Sequence, residues 1–367
     1  VRYGRRTLAV TVACGLALVA AGCAAPGGDD GPADAAEAEF DLRLPPAGGP
    51  TRYPLSIDNC GMRLTFNAPP RRVLILNGTS VAEAESMVAL GLGDRVLANA
   101  QHYGVSDQPG LTERIDALPT GGLSQNRHFD VPAEQVLASG ADLVISTWSG
   151  GFDPALGFAT REQLAAAGMP SLVNPVNCAM GKPDATPEER RTHLAASPRD
   201  SLNFLLLLGQ IFDVSGRAHA VATDLANRID RVRAAVAGRP AKKMLVVFPG
   251  MSMMNDNGLP AVLAGGIYDR VLQAAGGVNS FPRGGPDLTR TINAEQLAVA
   301  EVDLLVVGAF TPGEVPEREA RRLFDAYPGW AAARNNAWVG VSDGVYLGTT
   351  NAWAVEKIAK AAHPESF

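Results

Sequence analysis

The sequence predicts an α/β protein of two homologous α/β lobes joined by one long helix, with a ligand cleft between the lobes. Two observations carry this. The first is the stretch Ser215 to Gly238, whose apolar residues Ala218, Ala222, Leu225, Ile229, Val232 and Val236 alternate steps of four and three and draw one stripe along a single helix. Ser215 is placed to cap its start, and Gly238 with Pro240 to stop it. At about 1.5 Å per residue it runs roughly 33 Å, more than one small domain needs to cover its own sheet. The second is a repeat on either side of that strut. AEQVLASGADLVISTW (Ala133 to Trp148) returns as AEQLAVAEVDLLVVGAF (Ala294 to Phe310), offset by 161 residues from Glu134 to Glu295. Each copy follows a strand that stands behind a basic pair, Arg71 and Arg72 before VLIL, Lys242 and Lys243 before MLVVF. So long a period is no solenoid unit of 20 to 50 residues and reads as two related lobes.

The 367 residues and 46% hydrophobic content suffice for packed cores in two or three domains. Arg2, Arg5 and Arg6 precede an apolar run from Leu8 to Ala21, too short to span a bilayer and of the length of a signal-peptide core. The run ends in Val19, Ala20, Ala21, Gly22 and Cys23, which resembles a bacterial lipobox. That resemblance implies cleavage before Cys23 and lipidation of its thiol, the alternative being an ordinary secretory signal. Residues 1–22 are therefore assigned to a lipoprotein signal peptide. Residues 23–50, rich in Ala, Gly, Pro and Asp, are assigned to a flexible tether. The remaining boundaries are an N-terminal α/β lobe over 51–213, the connecting helix over 214–239 and a C-terminal α/β lobe over 240–367. Beyond its first 22 residues the chain carries 29 basic against 38 acidic residues, with no basic run, which argues against a nucleic-acid partner. Two cysteines outside the signal and lipobox remain, Cys60 and Cys178. In an oxidising compartment they read as a disulfide worth about 4–5 kcal/mol on the chain-entropy model, the alternative being two free buried thiols.

In order, Ile57 to Phe66 alternates about the Asn59, Cys60, Gly61 turn and predicts a hairpin. Arg72 to Leu76 is a continuous apolar strand of the kind a sheet covered on both faces needs. Ser80 and Glu83 form a capping-box pattern opening a helix to Leu90. Val96 to Asn99 is the next strand, and Gln101 to Gln125 a polar loop with a short helix. Pro132 opens the repeated helix, Gly140 closes it, and Leu143 to Thr147 is a strand. Helix Arg161 to Ala167 and strand Leu172 to Asn174 complete the lobe. Cys178 to Pro198 reads as irregular, Arg199 to Phe212 as a buried helix leading to the strut. The second lobe repeats the order with strand Met244 to Phe248, helix Ile267 to Ala275, the repeated helix and strand, helix Glu317 to Arg334, strand Trp338 to Val341 and a terminal helix Asn351 to His363.

Enzyme signatures are scarce. The sequence has no dinucleotide-binding glycine motif after a strand, no Walker loop, no HExxH and no Cys-x-x-Cys, and Ser252 in GMSMM lacks the second glycine of a nucleophile elbow. The five histidines are scattered, so no metal site is assigned. Ligands of open α/β sheets sit beyond the carboxyl ends of the strands, so the loops there face a common cleft. Those loops supply Asn77, Tyr103, Arg127, His128, Trp148, Met253, Arg290 and Tyr346 as candidate ligand contacts. Aromatics, amides and arginines together suit an organic, oxygen-rich, anionic ligand. The alternative is ordinary polar loops, with Met251, Met253 and Met254 packing the core.

Lipobox, tether, DNCGMRLTFNAPPRRVLIL, the paired AEQ segments, the strut and YDRVLQAAGGVNSF together resemble a class III solute-binding protein of a bacterial ABC importer, the group serving ferric siderophores, cobalamin and haem. The resemblance spans nearly the whole mature chain. It implies two lobes bridged by a single helix with modest closure on ligand, no enzymatic activity and no resident cofactor. It also implies an ABC permease dimer as partner, met by Glu134 and Glu295 through arginine pockets, and a body lipid-anchored to the outer face of the cytoplasmic membrane. The DNCG opening and Cys178 resemble ferric-siderophore binders most, which makes an iron(III) siderophore the expected small-molecule ligand. Haem is the main alternative, since His128 lies six residues before Glu134 in the loop that lines the cleft in relatives, and Tyr346 is placed to face it. Cobalamin comes third, and a two-domain envelope enzyme is the outside alternative.

Overall fold

The computed structural model describes residues 40–78, 80–125, 131–254, 257–282, 284–285 and 287–367; Cys23, Arg127 and His128 lie outside them. Strands β1 (Leu55–Asn59) and β2 (Met62–Phe66) form the expected antiparallel hairpin about Cys60 and Gly61. In the N-terminal lobe β3 (Val73–Ile75), β4 (Val96–Asn99), β5 (Leu143–Ser146) and β6 (Ser171–Val173) make a parallel sheet in the order β4-β3-β5-β6. The C-terminal lobe has β7 (Lys242–Phe248), β8 (Ala261–Leu263), β9 (Gly277–Asn279), β10 (Leu304–Gly308) and β11 (Trp338–Val341). There β9, β7, β10 and β11 repeat the parallel order of the first lobe, and β8 is an added antiparallel strand beside the carboxyl half of β7.

The sequence repeat is a repeat of register. Leu143 of β5 pairs with Val73, and Leu304 of β10, 161 residues on, pairs with Met244. The repeated aspartate explains how that register is held. The Asp142 carboxylate accepts the Arg71 and Arg72 amides, each at 2.8 Å, and the Asp303 carboxylate accepts the Lys243 amide at 2.9 Å. The amides of the same aspartates donate to Arg72 O and Lys243 O. Each carboxylate thus fastens the start of the neighbouring strand.

The strut is one helix, Ser215–Val236, and all six residues of its predicted stripe are buried, together with Ala226. It lies between helix Pro198–Ile211 and the terminal helix Asn351–Ala362. At the first crossing a Cβ on Gly209 would stand 2.3 Å from Ala218 Cβ, so glycine is what admits the close approach. The inner faces of both sheets and these three helices share one apolar core, which includes Ile75, Ile145, Leu205, Ile229, Val246, Val306 and Ile358. The outer faces build separate cores around Val144 and Leu164, and around Leu305 and Trp330.

Cys178 to Pro198, expected to be irregular, contains helix Pro187–Leu194, opened by a capping box of Thr186 and Glu189. Four further expectations fail locally, each for a physical reason. Val214, not Ser215, precedes the strut, and the Ser215 hydroxyl donates to Gly209 O at 3.4 Å because the tight return from the preceding helix brings that carbonyl to it. No capping box opens helix Ala82–Ala89, since Glu83 is drawn into the cleft instead. The helix expected over Glu317 to Arg334 is two, Pro316–Ala326 and Ala331–Asn335, separated at Pro328 and Gly329. Finally, the stretch assigned wholly to a tether lies on the body from Phe40 onward. Leu42 is buried, the Arg233 guanidinium sits over the Phe40 ring at 5.1 Å, Arg199 donates to the carbonyls of Asp41 and Arg43, and the His219 ring bonds Pro45 O at 2.9 Å.

The Cys60 and Cys178 sulfurs are bonded, closing 118 residues. The hairpin turn that carries Cys60 is pinned to the lobe by Asn59, whose side chain both donates to Val173 O (2.8 Å) and accepts from Val173 N (2.9 Å). The buried Arg161 guanidinium adds five bonds, to Asn59 O and Oδ1, Cys60 O, and Ser171 Oγ and O.

Candidate functional site: the interlobe cleft

The loops that follow β3, β4 and β6 meet those that follow β10 and β11 at one seam, through Val81 with Asp343, Tyr103 with Phe310, Asp107 with Ser342 and Asn177 with Tyr346. On the N-terminal side Glu83 organises the loops. Its carboxylate, fully buried, accepts from Thr147 Oγ1 at 2.5 Å and Gln101 Nε2 at 2.8 Å, with Asn174 Nδ2 at 3.5 Å, so one acid ties together the segments that follow β4, β5 and β6. Burial pushes the Glu83 carboxyl above its ordinary range, against the opposing pull of those donors. Gly78 is required beside it, since a Cβ there would lie 2.0 Å from Thr147 Oγ1.

Aromatic side chains wall the seam. Tyr103 donates to Gly78 O at 2.6 Å, and its ring meets Phe310 of the other lobe with centroids 5.4 Å apart. Burial pushes the Tyr103 phenol far above its usual value. Trp148 is half-buried, its ring so close to Gly150 and Gly181 that a Cβ on either would overlap it. Tyr346 stacks on Tyr268 at 5.5 Å and 28°. Its hydroxyl meets Asn177 Nδ2 at 3.0 Å and Met180 Sδ at 3.5 Å. Asn177 Nδ2 also donates to Thr147 O at 2.9 Å, and its Oδ1 faces the His193 ring at 3.1 Å. Between these groups lies a cavity of ≈ 90 Å³ lined by Asn177, Met180, His193, Tyr268, Thr289 and Tyr346.

Beneath the aromatics the lobes are stitched by polar contacts that converge on Ser342 to Asn351, with Lys357 beside them. Asp343 Oδ2 accepts from the Val81 amide, at the start of helix Ala82–Ala89, at 3.0 Å. Asp107 accepts from Ser342 N (2.7 Å) and from Lys357 Nζ (2.6 Å). Glu85 accepts from Thr350 Oγ1 at 3.1 Å, and Ser201 Oγ lies 2.6 Å from Asn351 Oδ1. Burial, with the nearby Asp107 and Glu83 charges, pushes the Asp343 carboxyl up to about 7. Its Oδ1 is buried without a partner among the described residues.

Of the candidate contacts, Tyr103, Trp148 and Tyr346 stand on the loops of this seam, while Asn77 follows β3 and lines a separate small pocket with Gly151 and Phe152. Met253 lies in the turn Pro249–Met254 that follows β7. Arg290 is exposed on the short helix Leu288–Thr291, while its neighbour Thr289 turns inward to donate to Val262 O and line the cavity. Sequence reasoning missed Asn177, Met180, His193 and Tyr268. Tyr268 stands inside the YDRVLQAAGGVNSF motif, where it reads only as helix, Met180 and His193 fall in the segment that reads as irregular, and Asn177 lies just before it. Glu134 and Glu295 are exposed at the second positions of helices Ala133–Ala138 and Ala294–Ala298, which stand at matching places in the two lobes. Among the described residues, no group of three or more His, Cys, Asp or Glu side chains is arranged to hold a metal ion, and no helix is long and apolar enough to cross a membrane.

No family model matches the sequence, and no curated protein matches it. Solved structures do. An Fe3+-hydroxamate ABC transport protein from Saccharomonospora viridis aligns over 84% of this chain and 99% of its own with 21% identity and a TM-score of 0.61. A periplasmic binding protein from Veillonella parvula covers 84% and 97% at 15% identity and TM-score 0.65. The periplasmic haem-binding protein RhuT from a Roseiflexus species covers 81% and 99% at 19% and 0.56. This is a binding-protein fold. The two-lobed fold that the sequence resemblance implied is thereby shown.

Proposed function

We propose that the chain is the extracytoplasmic solute-binding component of an ABC importer that captures an iron(III) siderophore and hands it to a permease dimer. One observation carries this reading: the strand ends of both lobes converge on a seam of aromatic, amide and thioether side chains, with no assembled metal site among the described residues. Such a lining grips the organic shell of a chelate and leaves the iron to the ligand's own donors. Haem is the second reading, favoured by the Tyr268–Tyr346 pair at the cavity and by the name of the Roseiflexus neighbour. Cobalamin stands behind it. Purification from the host followed by visible spectroscopy tests the assignment. A broad charge-transfer band that persists through gel filtration is expected for a ferric siderophore, and a Soret band would overturn it in favour of haem. Recovery of the ligand unaltered after incubation is expected of a carrier, and chemical turnover would refute it. The anchor has its own test: Cys23→Ser should release the protein from membranes, and unchanged fractionation would refute lipidation.

A further inference from the structure

We propose that the Cys60–Cys178 disulfide is a positioning device for the ligand cleft, which sets affinity by holding the Asn177–Met180 turn against Trp148 and Tyr346. The bond ends on two very different partners. Cys60 belongs to the fastened end: its turn is locked by Asn59 to both polar groups of Val173 and by the five bonds of Arg161. Cys178 belongs to the end that meets the cleft. Asn177, its neighbour, bonds Thr147 O and the Tyr346 hydroxyl, and so reaches across the seam. Cys178 O itself accepts from Ser149 Oγ at 2.8 Å, and Gly150 N donates to Met180 O at 3.0 Å, so the loop that carries Trp148 hangs on the same turn. The turn has only a short 3-10 stretch, Pro175–Asn177, before it leaves for helix Pro187–Leu194. Its cross-link to a rigid hairpin therefore fixes cleft geometry from outside the cleft, lowering the ordering cost of binding.

The inference rests on the seam being the ligand site. The probe is ferrioxamine B, an iron(III) trihydroxamate, with haemin as second probe. Cys60→Ser with Cys178→Ser should weaken binding about tenfold, the worth of one lost polar contact plus lost order. Reduction of the folded wild type should do the same, which covers a double variant that fails to fold. In an Asn177→Ala background, removing the disulfide should change affinity less than twofold, because both changes act through one turn. A full tenfold effect in that background, or none in the wild type, overturns the proposal. If neither probe binds wild type, the ligand assignment fails and hydrogen exchange decides the positioning role. Reduction should then speed exchange at Gly150 and Met180 amides and leave β3 and β5 unchanged, and equal protection before and after would refute it.

Discussion

Asp343 makes the sharpest prediction because its carboxylate is buried at the meeting of two lobes with one oxygen bonded to the Val81 amide and the other without a partner among the described residues. The groups facing it are Glu83 and Glu85 on helix Ala82–Ala89, Asp107 with its ion-paired Lys357, and the phenols of Tyr103 and Tyr268. Burial and like charge raise its pKa from 3.8 to about 7. A raised carboxyl binds its proton more tightly when folded, so its contribution is fully present below about pH 4, is lost as pH rises from there to about 7, and then levels off. Three pH units at about 1.4 kcal/mol each set the swing at about 4 kcal/mol. Glu85, also raised by burial and by Asp343, acts in the same direction. The protein should therefore resist urea better at pH 5 than at pH 8, the reverse of ordinary acid lability. Asp343→Asn keeps an acceptor for Val81 N and removes the ionisation. Unfolding free energies from urea titrations between pH 4.5 and 7.5 should fall with a slope up to about 1.4 kcal/mol per pH unit steeper in wild type than in the variant. Parallel curves would refute the reasoning.

Two further outcomes follow from other parts of the fold. Glu134→Ala with Glu295→Ala should abolish import while leaving affinity and melting temperature unchanged, because exposed carboxylates add little to stability but carry a few kcal/mol when paired with arginine across an interface; loss of ligand affinity with intact transport would place them in the cleft instead. Arg161→Ala strands the buried acceptors of Asn59, Cys60 and Ser171 and should cost about 3–5 kcal/mol in urea unfolding, and a loss below about 1 kcal/mol would refute its role as the hairpin's anchor.

What the sequence made legible was whatever repeats or has a period. The stripe of the strut is buried residue for residue, and the offset of 161 reappears as the pairing offset of β5 and β10. Asp142 and Asp303 stand in both copies as motif letters, and only in the fold do they become clamps on strand amides. Caps were misread because a capping pattern is local while the competition for a side chain is not. Glu83 has the spacing of a capping box, yet Thr147, Gln101 and Asn174 offer it better-placed donors from three other loops. The Phe40–Pro50 strap escaped because its contacts are single residues in a poor composition, Leu42 and Phe40, met by arginines and a histidine more than 150 positions away. Asn177 and Met180 escaped for the opposite reason: they lie in a segment with no periodicity, where place is set by a cross-link and not by pattern.

The single core behind the seam bears on how fast a ligand is caught. Spreading the lobes would pull Val246 and Val306 away from the strut and its two companions, and each such side chain exposed costs about 1.5–3 kcal/mol. A wide-open state is thus too rare to gate encounters. Stopped-flow traces should give observed rates linear in ligand concentration, with no plateau from a slow isomerisation, and an association constant in the ordinary range of about 10⁵–10⁷ M⁻¹s⁻¹. Differences among chelates would then be written in how long each one stays.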